Sequence, residues 1–282
     1  MSVGRTELAR AKVNLTLHVG ARIQSGKWDG YHPVESLVVF ADFGDRVTFA
    51  PSDSDAMVFD GHFGNALSEQ DDNSIRAALT LCGAPPQHVR IEKNIPIAAG
   101  LGGGTADAAA ALRVFDEAQK IDPIEIGADG PVCRLSRTAM MEGIGDIITR
   151  QSGLGQINAV LVNPGVSVST GVIFKAMDSA PRAEHPARTA RSGDLLSRAL
   201  SGENDMQDTA IALAPIISDV LRELAGQSGC ELARMSGSGA TCFGIFRSDA
   251  QARAAADLIA SAQPTWWVKA CRLGDWPEDA QP

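Results

Sequence analysis

Apolar and polar positions alternate without a break over residues 12–19: Val13, Leu15, Leu17 and Val19 share one face, and Lys12, Asn14, Thr16 and His18 share the other. A period of two predicts a half-buried strand. Its polar face belongs either to solvent or to a site. Residues 36–50 read as strands interrupted at Phe43–Asp45, 55–61 as a further short strand, and 88–95 as another. Asp72 or Asn73 caps a helix running to Leu81, which Gly83 ends. The alanine-rich run from Thr105 to Gln119 predicts a longer helix, and Asp122-Pro123 an N-cap with proline at the first helical position. Residues 138–149 predict a hairpin turned at Gly143–Gly145.

A glycine-rich, polar stretch at 150–157 suggests a boundary, with one unit at 1–153 and a second at 154–282. The second opens with a strand at 158–162 and a helix at 169–177. Residues 179–193 are polar and proline-containing, as expected of a mobile loop. An amphipathic helix over 206–224 breaks near Pro215. Strand, glycine turn, strand, a helix at 249–262 and a strand at 265–273 follow. The order, roughly β-α-α-β-β-α-β, predicts an α+β layer design. The tail from Gly274 reads as loose.

Composition narrows the functional classes. The 282 residues are 44% hydrophobic and 21% charged, with net charge -9. That balance supports a folded core and argues against a nucleic-acid partner, which needs a basic surface. Cys82, Cys133, Cys230, Cys242 and Cys271 are scattered, odd in number and form no CxxC pair, against a disulfide framework or a zinc site. No apolar run approaches about 20 residues, and the opening lacks the apolar core of a secretory signal. We expect no membrane partner and a cytoplasmic location. Nothing in the residues calls for a protein partner.

The strongest local motif is Pro96-Ile97-Ala98-Ala99-Gly100-Leu101-Gly102-Gly103-Gly104-Thr105-Ala106-Asp107, between a strand and a helix. Consecutive glycines let the backbone approach a ligand closely. Their N–H groups, with a helix N-terminus behind them, make a pocket for phosphate. No GxxxxGK[ST] is present, and GxGxxG fails because Thr105 or Asp107 stands where its last glycine belongs. Asp42-Phe43-Gly44 lacks the companion motifs of a protein kinase and reads as a turn between strands. A second glycine loop, Ser236-Gly237-Ser238-Gly239-Ala240-Thr241, is by itself consistent with a tight hairpin. The two loops together become informative if they converge.

Three segments in this order, Ala11-Lys12-Val13-Asn14-Leu15, Pro96 to Asp107, and Met235 to Ala240, resemble the motifs of the GHMP kinase superfamily. The further series DGYHPVESLVVFADFGD, IGADGPVC, EGIGD, NPGVSVSTGVIFK and END is similar to the branch whose acceptor is a cytidine-diphosphate-linked polyol. The resemblance implies a two-lobed α+β fold with a ferredoxin-like C-terminal lobe, ATP and Mg²⁺ as cofactors, and a cleft between the lobes. It implies that Asp129 is the general base and that Lys12 lies beside it, keeping it ionised and stabilising charge in transfer. Tyr31 would stack on the cytosine, His32 would hydrogen-bond to it and Phe174 would cover its other face; Asn14 and Thr170 would lie near the acceptor. Pro96 through Ala106 would wrap the ATP phosphates. A glycine cradle, a lysine and a carboxylate suffice chemically, because phosphoryl transfer depends on positioning and charge stabilisation. The chain departs from the family where Thr105-Ala106 replaces two serines, where Gly130 replaces a common valine and predicts a looser loop, and where Gln207 replaces a glutamate. A GHMP kinase for another alcohol and a non-catalytic nucleotide sensor on the same fold both stay open.

Overall fold

The computed structural model describes residues 4–67 and 74–276. The first half contains strands β1 (Arg5–Asn14), β2 (His18–Val19), β3 (Val34–Pro51), β4 (Ala56–Asp60), β5 (Gln87–Glu92), β6 (Ala139–Gly143) and β7 (Ile147–Arg150), with helices α1 (Ser74–Leu81), α2 (Gly103–Phe115) and α3 (Gly130–Leu135). The second contains β8 (Gln156–Asn163), α4 (Thr170–Met177), α5 (Leu195–Leu200), α6 (Gln207–Leu213), α7 (Ile216–Ala225), β9 (Cys230–Met235), β10 (Cys242–Phe246), α8 (Asp249–Ala262) and β11 (Trp267–Gly274).

One sheet runs β4-β5-β3-β11-β8-β10-β9, and β1, β2 and β6 also pair with β3. Its second half, β11-β8-β10-β9, is antiparallel throughout and has the strand order of a ferredoxin-like sheet. The last strand continues the sheet into the first half, Leu273 opposite Ala41 and Gly274 opposite Phe40. The helix α2 packs on β1 and α1 through small side chains; Ala108, Ala109, Ala110 and Ala111 are all fully buried. A run of alanines lets helix and sheet approach closely while still removing apolar surface from water.

Several expectations change on the structure. The alternating segment at 12–19 is the end of a strand that begins at Arg5 and breaks before a short bridge at His18–Val19. Its polar face is buried, because protein partners replace water: the Asn14 amide donates to Ser36 Oγ at 2.8 Å, and the Thr16 and Thr189 hydroxyls pair at 2.7 Å. The segment at 43–45 does not interrupt β3. The register shift against β1 between Arg10 and Lys12 is a bulge that leaves β3 continuous, so Asp42-Phe43-Gly44 lies in a strand, not a turn. The helix α2 starts at Gly103 and stops at Phe115, because the Asp116 carboxylate accepts from the Lys120 and Ile121 N–H groups and turns the chain. The short helix α5 is not among the elements expected from the pattern, although Asp194 caps it by accepting from Ser197 N. Of the tail, Trp276 is buried and donates to the Phe40 carbonyl at 2.9 Å. Asp72, Asn73 and the tail from 277 on lie outside the described residues.

The segment at 179–193 is not a free loop. It lies as a strap across the first half. Buried Glu35 accepts from Thr189 N at 3.1 Å and Thr189 Oγ1 at 2.8 Å, and Arg191 reaches both Glu35 and Glu142. At the other end Ala21 N donates to the Ala183 carbonyl at 2.8 Å. Replacing Glu35 by alanine leaves the Thr189 donors unsatisfied, at a cost of about 1–3 kcal/mol. Tryptic cleavage at Arg182 or Arg188 is then expected to accelerate by roughly one to two orders of magnitude, since nicking tracks the open population; gel densitometry over time measures it.

Candidate active site

A cleft of about 1210 Å³ lies between the end of β1, the glycine loop before α2, the turn before α3, and α4. Of the residues singled out from sequence, Lys12, Asn14, Tyr31, His32, Pro96, Ile97, Ala98, Ala99, Gly100, Gly102, Gly103, Gly104, Thr105, Asp129, Thr170 and Phe174 all line it. Leu101 and Ala106 do not: their side chains are packed in the core. Leu101 acts through its backbone, since its carbonyl accepts from Lys12 N at 2.9 Å and ties β1 to the loop.

At the floor, Lys12 Nζ is 2.9 Å from Asp129 Oδ2 and donates to Asn14 Oδ1 at 2.8 Å. Lys12 is only 4% exposed, while the Asp129 side chain keeps 30% of its surface open to the cleft. A buried ammonium needs such partners, because the desolvation penalty is large without them. The result is a carboxylate that faces the cleft and is held from behind by a fixed positive charge. Asp129 is the N-cap residue of α3, and its own carbonyl accepts the first helical bond, from Cys133 N at 2.9 Å. Burial pushes the Cys133 thiol up to about 12, with the Asp129 charge adding to it, so it stays a neutral packing group.

The two glycine loops meet backbone to backbone. A Cβ at Gly100, whose φ is +73°, would lie 2.6 Å from the Ser236 carbonyl and 2.8 Å from that of Gly239. Ser236 Oγ donates to the Gly100 carbonyl at 3.2 Å and accepts from Asn14 N at 3.1 Å. Asn204, in the END segment to which the sequence assigned no role, donates to the carbonyls of Met235 and Gly237 and so holds the second loop. Thr170 Oγ1 and Ser238 Oγ pair at 2.8 Å across the mouth.

The aromatic end differs from the expected sandwich. The ring of Phe174 stacks on His32, with centroids 4.8 Å apart and planes 13° from parallel, so one Phe174 face is already taken. Both His32 nitrogens are engaged: Nδ1 donates to the Gly20 carbonyl at 3.0 Å, and Nε2 is 3.2 Å from Asp178 Oδ1. Tyr31 is half exposed and meets Trp28 edge-on at 5.7 Å. Asp178 carried no signal of its own in sequence, because a lone aspartate after a helix reads as a cap.

Models of the GHMP kinases N terminal domain and the GHMP kinases C terminal region match residues 73–149 and 186–263. Over 276 residues the chain is 44% identical to the 4-diphosphocytidyl-2-C-methyl-D-erythritol kinase of Paracoccus denitrificans (strain Pd 1222), covering 97% of this chain and 98% of that one. It is 40% identical to the Caulobacter vibrioides (strain NA1000 / CB15N) enzyme of the same name, with 94% and 98% covered. A crystal structure of 4-(cytidine 5'-diphospho)-2C-methyl-D-erythritol kinase superposes with a TM-score of 0.73 at 29% identity, over 96% of this chain and 100% of that one. The mevalonate kinase of L. major, at 11% identity and a TM-score of 0.59 over 97% and 99% of the two chains, shares the fold.

Gly130 makes the bend behind Asp129 tight, not loose. A Cβ there would fall 1.8 Å from the Pro123 carbonyl and 2.9 Å from Ile126 Cγ1. The 123–126 turn, capped by Asp122, occupies the space a side chain at 130 would need. Restoring the valine by Gly130→Val is expected to displace that turn and Asp129 with it. Turnover should fall about 10²-fold, as for a roughly 1 Å misplacement, in single-turnover assays, and calorimetry should show a lowered Tm.

Proposed function

The chain belongs to the GHMP kinase family, and from that premise we propose that it transfers the terminal phosphate of ATP to the 2-hydroxyl of 4-diphosphocytidyl-2-C-methyl-D-erythritol, a step of non-mevalonate isoprenoid biosynthesis. The observation that carries the reading is the 2.9 Å pair of Lys12 and Asp129 on the floor of the cleft beside the glycine loop.

In this reading the backbone N–H groups of the loop from Gly100 to Thr105 cradle the phosphates of ATP, and the N-terminus of α2 favours their charge. Mg²⁺ bound with the nucleotide would neutralise charge on the phosphate oxygens. Thr105, on the cleft wall, supplies the hydroxyl; Ala106 faces the core, so its missing hydroxyl removes nothing from the phosphate side. Asp129 accepts the proton of the acceptor hydroxyl as the oxygen attacks the terminal phosphorus. The Lys12 ammonium, no longer facing a full carboxylate charge, is then free to stabilise the transferring phosphoryl oxygens. Asn14 orients Lys12 from the side. Tyr31 and the open face of Phe174 offer surfaces for the pyrimidine, and Thr170 with Ser238 offers hydroxyls near the linking phosphates.

Two substitutions separate chemistry from recognition. In an ATP-coupled assay with the cytidylylated polyol, Asp129→Ala should lower kcat by about 10²–10⁴-fold, the usual contribution of a positioned base. Tyr31→Ala should instead raise KM for the acceptor by roughly 5–150-fold, from about 1–3 kcal/mol of lost stacking, and leave KM for ATP in place. Full activity of Asp129→Ala would remove the mechanism. Equal phosphorylation of acceptors that lack cytidine would point to another alcohol as the substrate.

A further inference from the structure

Beside the glycine loop, Asp45, Lys93 and Asp107 form a charged group to which the transfer chemistry gives no role, with Lys93 and Asp107 also on the cleft wall. Asp45 on β3, Lys93 just after β5 and Asp107 on α2 are 0%, 4% and 4% exposed. Lys93 Nζ donates to Asp45 Oδ2, and to Asp107 Oδ2 at 2.6 Å. The other oxygen of Asp45 accepts from Asn94 N at 2.5 Å and Ile95 N at 2.9 Å, the two residues that lead into Pro96. Lys93 is itself fixed, since its N–H donates to the Asp60 carbonyl and its carbonyl accepts from Phe63 N.

Resting on the reading of the loop as the ATP cradle, we infer that Asp45, Lys93 and Asp107 are positioning residues that lock both ends of the loop to β3 and so set the spacing of its N–H groups for ATP. The chain enters the loop through Asn94 and Ile95, which Asp45 holds by their backbone. It leaves through the first turns of α2, which Lys93 holds through Asp107. One carboxylate therefore serves both ends, directly at the entry and through the ammonium at the exit. A glycine loop has little stiffness of its own, so donors that must stand ready for charge need such an outer frame.

The two carboxyls are not equivalent. Asp45 faces three donors: an ammonium and two backbone N–H groups. Asp107 receives only Lys93 through Oδ2, and its Oδ1 is without a partner among the described residues. Burial, then the neighbouring Asp45 charge, pushes the Asp107 carboxyl well up, against the pull of Lys93. One acceptor oxygen at 107, facing Lys93, is what the frame uses, while position 45 needs a full acceptor pair.

The test compares D45N, D107N and D107L by kinetics with ATP and acceptor varied separately, by calorimetric ATP binding, and by thermal unfolding. In D45N an amide N–H₂ faces the Lys93 ammonium. Its KM and Kd for ATP should rise at least about tenfold, with KM for the acceptor within about twofold of wild type. D107L should weaken ATP in the same direction, about fivefold or more, and D107N should rescue it to within about threefold. Equal loss in D107N and D107L, or ATP and acceptor constants rising together, would overturn the inference; so would a lowered Tm with unchanged ATP affinity. If D45N does not fold, the contrast between D107N and D107L still separates a positioning role from a merely structural one. A wild-type protein that binds ATP but phosphorylates no acceptor would instead count against the kinase reading, and calorimetry would still judge the frame.

Discussion

The architecture of this protein follows from the need to keep one lysine ammonium charged inside the fold. Lys12 is buried on the polar face of β1, and its charge is tolerable only because Asp129 and Asn14 stand within 3 Å of it. Bringing Asp129 there requires the tight turn before α3, and that turn needs glycine at 130. Holding Lys12 itself requires its N–H to reach Leu101, which fixes the glycine loop against β1. The loop, Asp129 and the strand are therefore linked through one side chain and its backbone, and none can move far without leaving a charge unpaired.

At the glycine loop the second half of the chain meets the first through backbone, while α4 brings the side chains of Thr170 and Phe174 to the cleft. Gly100 and the Ser236–Gly239 turn approach so closely that neither admits a side chain at the contact. Asn204 and Gln207 hold that turn from outside, the latter by accepting from Met235 N at 3.0 Å. An amide oxygen performs this task as a carboxylate oxygen would. With β11 added to the edge of β3, both halves share one sheet. The relative position of the loops is thus set by hydrogen-bonded strands as well as by the loops themselves.

How much of this was legible depends on whether a residue acts through its neighbours in sequence. The glycine run, Lys12 on an alternating strand, and Asp129 before a proline each carried a local pattern, and the fold places all three on one cleft. The buried polar face of β1 was visible as a choice between solvent and site, and only packing against Ser36 and Thr189 decides it. The strap at 179–193 looked mobile because polar, proline-containing composition describes what a segment lacks; its anchor, Glu35, lies 154 positions away from Thr189. The Phe174–His32 stack and the Asp178 contact are likewise products of tertiary packing, so no spacing rule reaches them. In the same way, Asp45 and Lys93 are 48 positions apart and read separately, the first in an interruption between strands and the second within the strand at 88–95.

A frame built from buried charge has a thermodynamic cost, and its sign can be worked out. Asp107 has its carboxyl raised by burial and by Asp45, so the native state keeps a proton that the unfolded chain releases above the ordinary value of 3.8. Stability from this group therefore falls as pH rises from there toward the raised value. Asp205 acts in the opposite sense. Burial alone would raise it, but His18, the Val19 N–H and Arg182 outweigh burial and hold it low, so its contribution is present above 3.8 and is lost as pH falls through the folded value. Apolar residues in place of Asp45, Lys93 and Asp107 would remove the desolvation penalty of the group. They would leave Asn94 N and Ile95 N without acceptors and the exit of the loop untied. The polar trio is retained on this view because a phosphate cradle depends on the direction of its N–H groups, and direction comes from hydrogen bonds that an apolar contact cannot supply.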